Sequence, residues 1–204
     1  MKYFYYDETA LDHLKNKDAK LKVAIEKIGY IEREINTEPF SSLIQQIISQ
    51  QISAQGAATV YNRLEEKVAE MNAKNIYDLG VNNIQSCGMS FRKATYIHKI
   101  SAAVINDDLN FDQLTTMDDE AVIAKMSELD GIGKWSAQMF LIFTMQRMNV
   151  IAYDDLAIRK GMMKLYNLKK LDKKIFERHK KKYEPYATVA SIYLWHLAHN
   201  DLEE

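Results

Sequence analysis

A chain of 204 residues with 47% apolar and 27% charged side chains can bury a core and stay in water, so one compact unit or two small lobes are expected. Cys87 is the only cysteine, which excludes disulfide frameworks, cysteine zinc sites and iron–sulfur clusters. The formal charge is −1, yet residues 159–182 hold eleven basic side chains against Asp172 and Glu177, a local +9 that leaves −10 elsewhere. Such a separation can turn one face toward an anionic polymer, although a solvated helix face produces the same pattern.

The start, Met1-Lys-Tyr-Phe-Tyr-Tyr-Asp7, lacks the apolar stretch and small-residue cleavage site of a secretory signal, and no apolar run is long enough for a membrane span. A cytosolic protein without membrane attachment is expected. Scarce glycine, two prolines and little β-branched alternation predict an all-α fold. The first helix is predicted from about Thr9 to Ile28, ended by Gly29. Pro39 opens the next, with Phe40, Leu43, Ile44, Ile47 and Ile48 on one face.

Gln50-Gln51-Ile52-Ser53 then forms a polar tip before a helix carrying Val60, Tyr61, Leu64 and Val68. Gln50 and Gln51 suit either a solvated corner or a wedge that fills the gap left by an extruded nucleotide. The stretch from Ile76 to Cys87 reads as short and irregular. Ser90 is placed to cap a helix with Ala94, Ile97, Ile100, Ser101 and Val104 inward and Arg92, Lys93 and Lys99 outward. Thr116 and Asp119 resemble a capping box for the helix holding Val122, Ile123, Met126 and Leu129.

The stretch from Ser127 to Lys160 carries the most information. It turns through Gly131-Ile132-Gly133 into a helix with Trp135, Met139, Ile142 and Phe143 at helical spacing, and later delivers Asp154 and Asp155 to the start of another helix. Glycine permits positive φ and close approach of the backbone. The N–H groups of Gly131, Ile132, Gly133, Lys134, Trp135 and Ser136, at a helix N-terminus, are suited to a phosphate. A nucleotide P-loop is excluded, because the glycine at the required offset is missing and Trp135 stands where Ser or Thr would hold magnesium. Either aspartate could equally be a helix N-cap.

Beyond the acids the pattern continues through Ile158, Met162 and Leu165, then a basic helix from Leu171. Pro185 stands where a final helix rich in apolar residues is predicted to begin. His196 and His199 could share a face of that helix, but without a third ligand they do not make a metal site.

Taken together, four motifs resemble the helix–hairpin–helix DNA glycosylases, and most of all their 3-methyladenine DNA glycosylase II branch. They are Phe40–Ser53, Cys87-Gly-Met-Ser-Phe-Arg-Lys-Ala94, the hairpin Leu129–Ala137 with Asp154-Asp-Leu-Ala-Ile-Arg-Lys-Gly161, and Glu184–Trp195. The resemblance implies two helical lobes with a cleft between them: residues 40–148 carrying the helix–hairpin–helix, and residues 1–39 with 149–204 carrying the catalytic acid. It implies hydrolysis of the N-glycosidic bond of alkylated purines in duplex DNA, in base excision repair, with Asp155 as the catalytic carboxylate. A DNA-lesion binder of the same fold without turnover is the alternative.

By the same resemblance Trp135, Trp195, Tyr183 and Met139 line the base pocket, Gln50 and Gln51 enter the duplex, and the backbone at Ser127, Leu129 and Ile132 can hold Na⁺ or K⁺. Strand-cutting relatives have a lysine where this chain has Trp135, which implies a monofunctional enzyme. A monomer in the cytosol or nucleoid, acting on double-stranded DNA with damaged bases, is implied as well. Asn149, Ala152 and Ala187 depart from the family pattern, and Ala187, standing in place of a common Arg, bears on substrate range.

Overall fold

The computed structural model describes residues 2–200, and among them the secondary structure is helical apart from one minimal sheet. In chain order the elements are β1 (Lys2–Tyr3), α1 (Glu8–Lys17), α2 (Ala19–Ile28), β2 (Glu34–Ile35), α3 (Pro39–Ser49), α4 (Ala54–Glu65), α5 (Ala73–Gln85), α6 (Phe91–Ile105), α7 (Phe111–Thr116), α8 (Asp119–Ser127), α9 (Lys134–Phe143), α10 (Leu156–Tyr166), α11 (Lys173–Tyr183) and α12 (Ala187–His199). None of the helices among the described residues is long and apolar enough to cross a membrane. The chain divides into two compact units, residues 36–140 and residues 1–35 with 141–204.

In the unit of residues 36–140, Pro39 supplies the fixed φ that suits a first helical turn, and Phe40, Leu43, Ile44, Ile47 and Ile48 are all buried. Burying each of these side chains contributes about 1.5–3 kcal/mol before entropy is counted. Ser90 caps α6, accepting from the Lys93 N–H at 3.3 Å, as the sequence suggests. The stretch read as irregular is α5, bent at Gly80 with φ 75°. Thr116 ends α7, and the cap of α8 is Asp118, which accepts from the Ala121 N–H at 2.8 Å.

In the other unit, α12 is the central helix: ten of its thirteen residues are buried. Gly161 of α10 meets it so closely that a Cβ there would lie 2.0 Å from the Leu194 carbonyl oxygen. The single long helix predicted over Thr9–Ile28 is two helices, broken at Asp18, whose Oδ1 accepts from the N–H groups of Lys20 and Leu21. Gly29 does end α2, with φ 76°. β1 and β2 pair antiparallel, Lys2 opposite Ile35 and Tyr3 opposite Glu34, and so pin the segment that follows α2.

Candidate functional site

The hairpin lies in the unit of residues 36–140. Gly131 adopts φ +87°, and a Cβ there would fall 2.4 Å from the Tyr96 ring, so the protein's own packing requires glycine. Gly133 has no atom within 4 Å of its would-be Cβ and no positive φ, so nothing inside the chain requires glycine there. Ile132 is buried and anchors the turn, its N–H donating to the Leu129 carbonyl at 3.0 Å.

The first bond of the α9 ladder runs from the Ala137 N–H to the Gly133 carbonyl, so the N–H groups of Lys134, Trp135 and Ser136 precede it. They stand at the positive end of the helix dipole, where an anion is favoured. Trp135 is 44% exposed at this end, while Met139, one turn on, is buried.

The glutamine tip behaves differently from its sequence reading. Gln50 is half-buried, and its Nε2 donates to the Gly131 carbonyl at 2.8 Å, which ties the tip to the hairpin. Gln51 is exposed in the left-handed region, φ 58°. Lys93 does not face outward. It is 9% exposed, and its ammonium donates to the carbonyls of Ile48 at 2.7 Å and Gln50 at 2.5 Å, the negative end of α3. Burial lowers its pKa, with Arg92 adding to the effect.

Asp155 lies in the other unit. It is the N-cap of α10, with φ −78° and ψ 113°, and its Oδ1 accepts from the Ile158 N–H at 2.9 Å. Only 7% of the residue is exposed, whereas Asp154 is exposed. The acid-bearing segment is held by α12: the Thr188 hydroxyl donates to the Arg147 carbonyl at 2.6 Å and accepts from the Val150 N–H at 3.0 Å. The Thr188 N–H also donates to the Met148 carbonyl at 3.0 Å. The helix N-cap that the sequence allows for either aspartate is thus filled by Asp155.

Trp195 is half-buried and stacks on Phe143, with ring centroids 5.5 Å apart and planes at 26°. The Arg33 guanidinium carbon lies 5.2 Å from the Phe143 centroid and 5.6 Å from that of Trp195. Arg33 is exposed as a residue, but desolvation of its guanidinium end lowers its pKa, opposed by the charges of Glu34 and Asp155. A pocket of about 290 Å³ opens here, lined by Glu32, Arg33, Ile192, Trp195 and His196 among others.

Tyr183 does not join it. That ring is fully buried, and its hydroxyl shares a 2.7 Å hydrogen bond with that of Tyr166, so the packing role applies and the base-pocket role does not. Ala187 is likewise fully buried. Sequence reasoning missed Arg33 and the use of Phe143 as a platform. Arg33 sits in no motif, and the only local signal was a lone cation in a short segment after Gly29.

Comparison with known proteins follows the same lines. In Schizosaccharomyces pombe, DNA-3-methyladenine glycosylase 1 is 28% identical over 191 residues, spanning 90% of this chain and 84% of its own. Among solved structures, a DNA-3-methyladenine glycosidase from Bacillus halodurans matches with a TM-score of 0.89 at 32% identity, over 98% of this chain and 94% of that one. The S. pombe Mag1 glycosylase in complex with abasic DNA matches with a TM-score of 0.83 at 27% identity, over 96% and 99%. Residues 44–185, which include both the hairpin and Asp155, match the family described as "HhH-GPD superfamily base excision DNA repair protein", and the chain belongs to that superfamily.

Proposed function

We propose that this protein is a monofunctional DNA glycosylase that hydrolyses the N-glycosidic bond of alkylated purines, of the 3-methyladenine type, in duplex DNA. The observation that carries the reading is Asp155, a largely buried carboxylate fixed at the head of α10 by the Ile158 N–H. Rupture of the bond between C1′ and the base nitrogen builds positive charge on the sugar. A fixed carboxylate in a poorly solvated site stabilises that charge, and it can orient the attacking water or take its proton. The water oxygen bonds to C1′, the bonding pair leaves with the base, and a purine already alkylated at a ring nitrogen departs neutral with little help from a general acid.

The hairpin would hold the sugar–phosphate backbone. Its N–H groups at the head of α9 favour a phosphate, and the open face of Gly133 leaves room for one. Gln51, exposed at the tip, would fill the gap in the duplex, and the half-buried Trp195 would present an aromatic face to the flipped base. Trp135 in place of a lysine supports hydrolysis without strand cleavage. The carbonyls of Ser127, Leu129 and Ile132 fit a monovalent cation: Ser127 closes α8, at the negative end of its dipole, although the Leu129 oxygen already accepts one N–H. A repair role places the protein with DNA in the cytosol or nucleoid.

The test is to incubate the protein and its Asp155→Asn variant with duplex DNA containing 3-methyladenine or 7-methylguanine and reveal abasic sites with alkali. Release by the wild type alone supports the enzyme. Tight binding without release supports a catalytically silent lesion binder, and a borohydride-trapped covalent adduct would overturn the monofunctional reading.

A further inference from the structure

The fold uses some of the basic residues between 159 and 182 and leaves others without a partner. Lys182 pairs with the Asp18 carboxylate at 2.9 Å, and Lys164 donates to the Asn200 carbonyl at 2.6 Å. The inner face of α11 carries Phe176, His179 and Tyr183, all buried, and the Phe176 ring meets Tyr153 edge-on with centroids 5.1 Å apart. The helix is therefore packed against the segment that leads to Asp155. Its opposite face is different. Lys174, Arg178 and Lys181 stand at i, i+4 and i+7, all exposed, with exposed Lys173 beside them. None of these four pairs with a carboxylate among the described residues.

Helix energetics disfavour part of this row. The dipole favours Lys181 in the last turn, but Lys173 and Lys174 occupy the first turn, at its positive end, where no acidic residue offsets them. Lys174 and Arg178 are also a like-charged pair one turn apart, which destabilises a helix. A polyanion would offset both costs. From Lys174 to Lys181 the helix rises about 10 Å, roughly three nucleotide steps of one DNA strand along its axis. α11 bears none of the large apolar side chains exposed among the described residues, so it lacks the means to insert into a lipid surface.

We propose that the outer face of α11 is a second DNA-binding surface, on which Lys174, Arg178 and Lys181, flanked by Lys173, bind the backbone phosphates of undamaged duplex without reading its sequence. The inference deepens the reading above by giving the glycosylase a grip on DNA that needs neither the hairpin nor a lesion. Binding of this kind is driven by counterion release, so its signature is salt dependence.

The test measures affinity for lesion-free duplex by fluorescence anisotropy from about 50 to 200 mM NaCl. Wild type is compared with a protein carrying Lys174→Gln, Arg178→Gln and Lys181→Gln, and with a control carrying Lys15→Gln, Lys17→Gln and Lys22→Gln, which loses the same three charges from α1 and α2. The slope of log affinity against log salt should become shallower by about two to three in the α11 variant, with affinity roughly tenfold weaker at the low-salt end, and stay near wild type in the control. The single change Lys174→Gln should reduce the slope by about one, and thermal melting should show it at least as stable as wild type. An unchanged slope in a folded α11 variant, or an equal loss in the control, overturns the proposal. So does binding to phosphatidylserine vesicles that depends on these residues while the DNA slope does not, which would assign the face to a membrane. No base release is needed for any of these readings, so a protein that leaves no abasic sites defeats the proposed function without deciding this surface.

Discussion

The Lys93 ammonium donates to the Gln50 carbonyl at 2.5 Å while the Gln50 side chain donates to the Gly131 carbonyl at 2.8 Å, so one residue links α6 to the hairpin through the glutamine tip. Replacing Lys93 with Met removes the charged donor from two carbonyls at the end of α3. We expect a loss of about 1–3 kcal/mol in chemical denaturation. Affinity for an abasic-site duplex, followed by fluorescence anisotropy, should fall as well, and Lys93→Arg should recover part of both. Unchanged DNA affinity in a folded Lys93→Met protein would separate the tip from binding.

The two hairpin glycines should respond oppositely to alanine. Gly131→Ala meets both a positive φ and the Tyr96 ring, and should cost about 2–4 kcal/mol in thermal or chemical unfolding. Gly133→Ala meets neither, so its stability should stay within about 0.5 kcal/mol of wild type. Its affinity for duplex DNA should nevertheless fall about tenfold if a phosphate occupies that open face, the worth of one charge-assisted contact. Wild-type affinity in Gly133→Ala would remove the hairpin from the backbone contact.

The cap that Asp155 supplies and the chemistry proposed for it separate by substitution. Asparagine keeps an oxygen for the Ile158 N–H, so Asp155→Asn should unfold within about 1 kcal/mol of wild type while single-turnover base release falls about 10²–10³-fold. Asp155→Ala should lose about 1 kcal/mol more stability by giving up the cap. Base release by Asp155→Asn at the wild-type rate would move the chemistry elsewhere.

Asp18 gives a pH signature in stability. Burial alone raises its pKa, but hydrogen bonds from Lys182, the Leu21 N–H and Tyr166 together outweigh this and hold the carboxyl below the usual range. A folded-state pKa below the unfolded value of about 3.9 means that the contribution is present above that pH and is lost as pH falls through the folded value. Asp18→Ala should therefore cost about 2 kcal/mol at pH 7, from the lost cap of α2 and the Lys182 contact, with the deficit shrinking below about pH 4. A deficit independent of pH would assign the effect to packing alone.

Tyr183 tests a correction to the sequence reading. Burial raises the pKa of its phenol and that of Tyr166, so both hydroxyls stay protonated and share one hydrogen bond. Tyr183→Phe should lower stability by about 1 kcal/mol and leave the rate of base release unchanged. A selective loss of release would restore Tyr183 to the base pocket.

What could be read from the sequence is what neighbouring residues decide among themselves. Helical periodicity, the Ser90 cap, the Gly29 stop and the Gly131 turn depend on interactions within a few positions, so the all-α fold, the hairpin and the acid at a helix head were legible. The direction of a polar side chain is another matter. The local pattern turns Lys93 to solvent, as lysine usually is, but its partners lie 45 and 43 residues away in α3 and its tip. Gln50 found its acceptor 81 residues on, and Asp18 gained a partner 164 residues away while breaking a helix that its flanking pattern would have continued. Arg33 lies over two aromatic rings from α9 and α12 that no local pattern relates to it. These placements were settled by tertiary packing, because a buried charge or amide must find its partner wherever the folded chain supplies one.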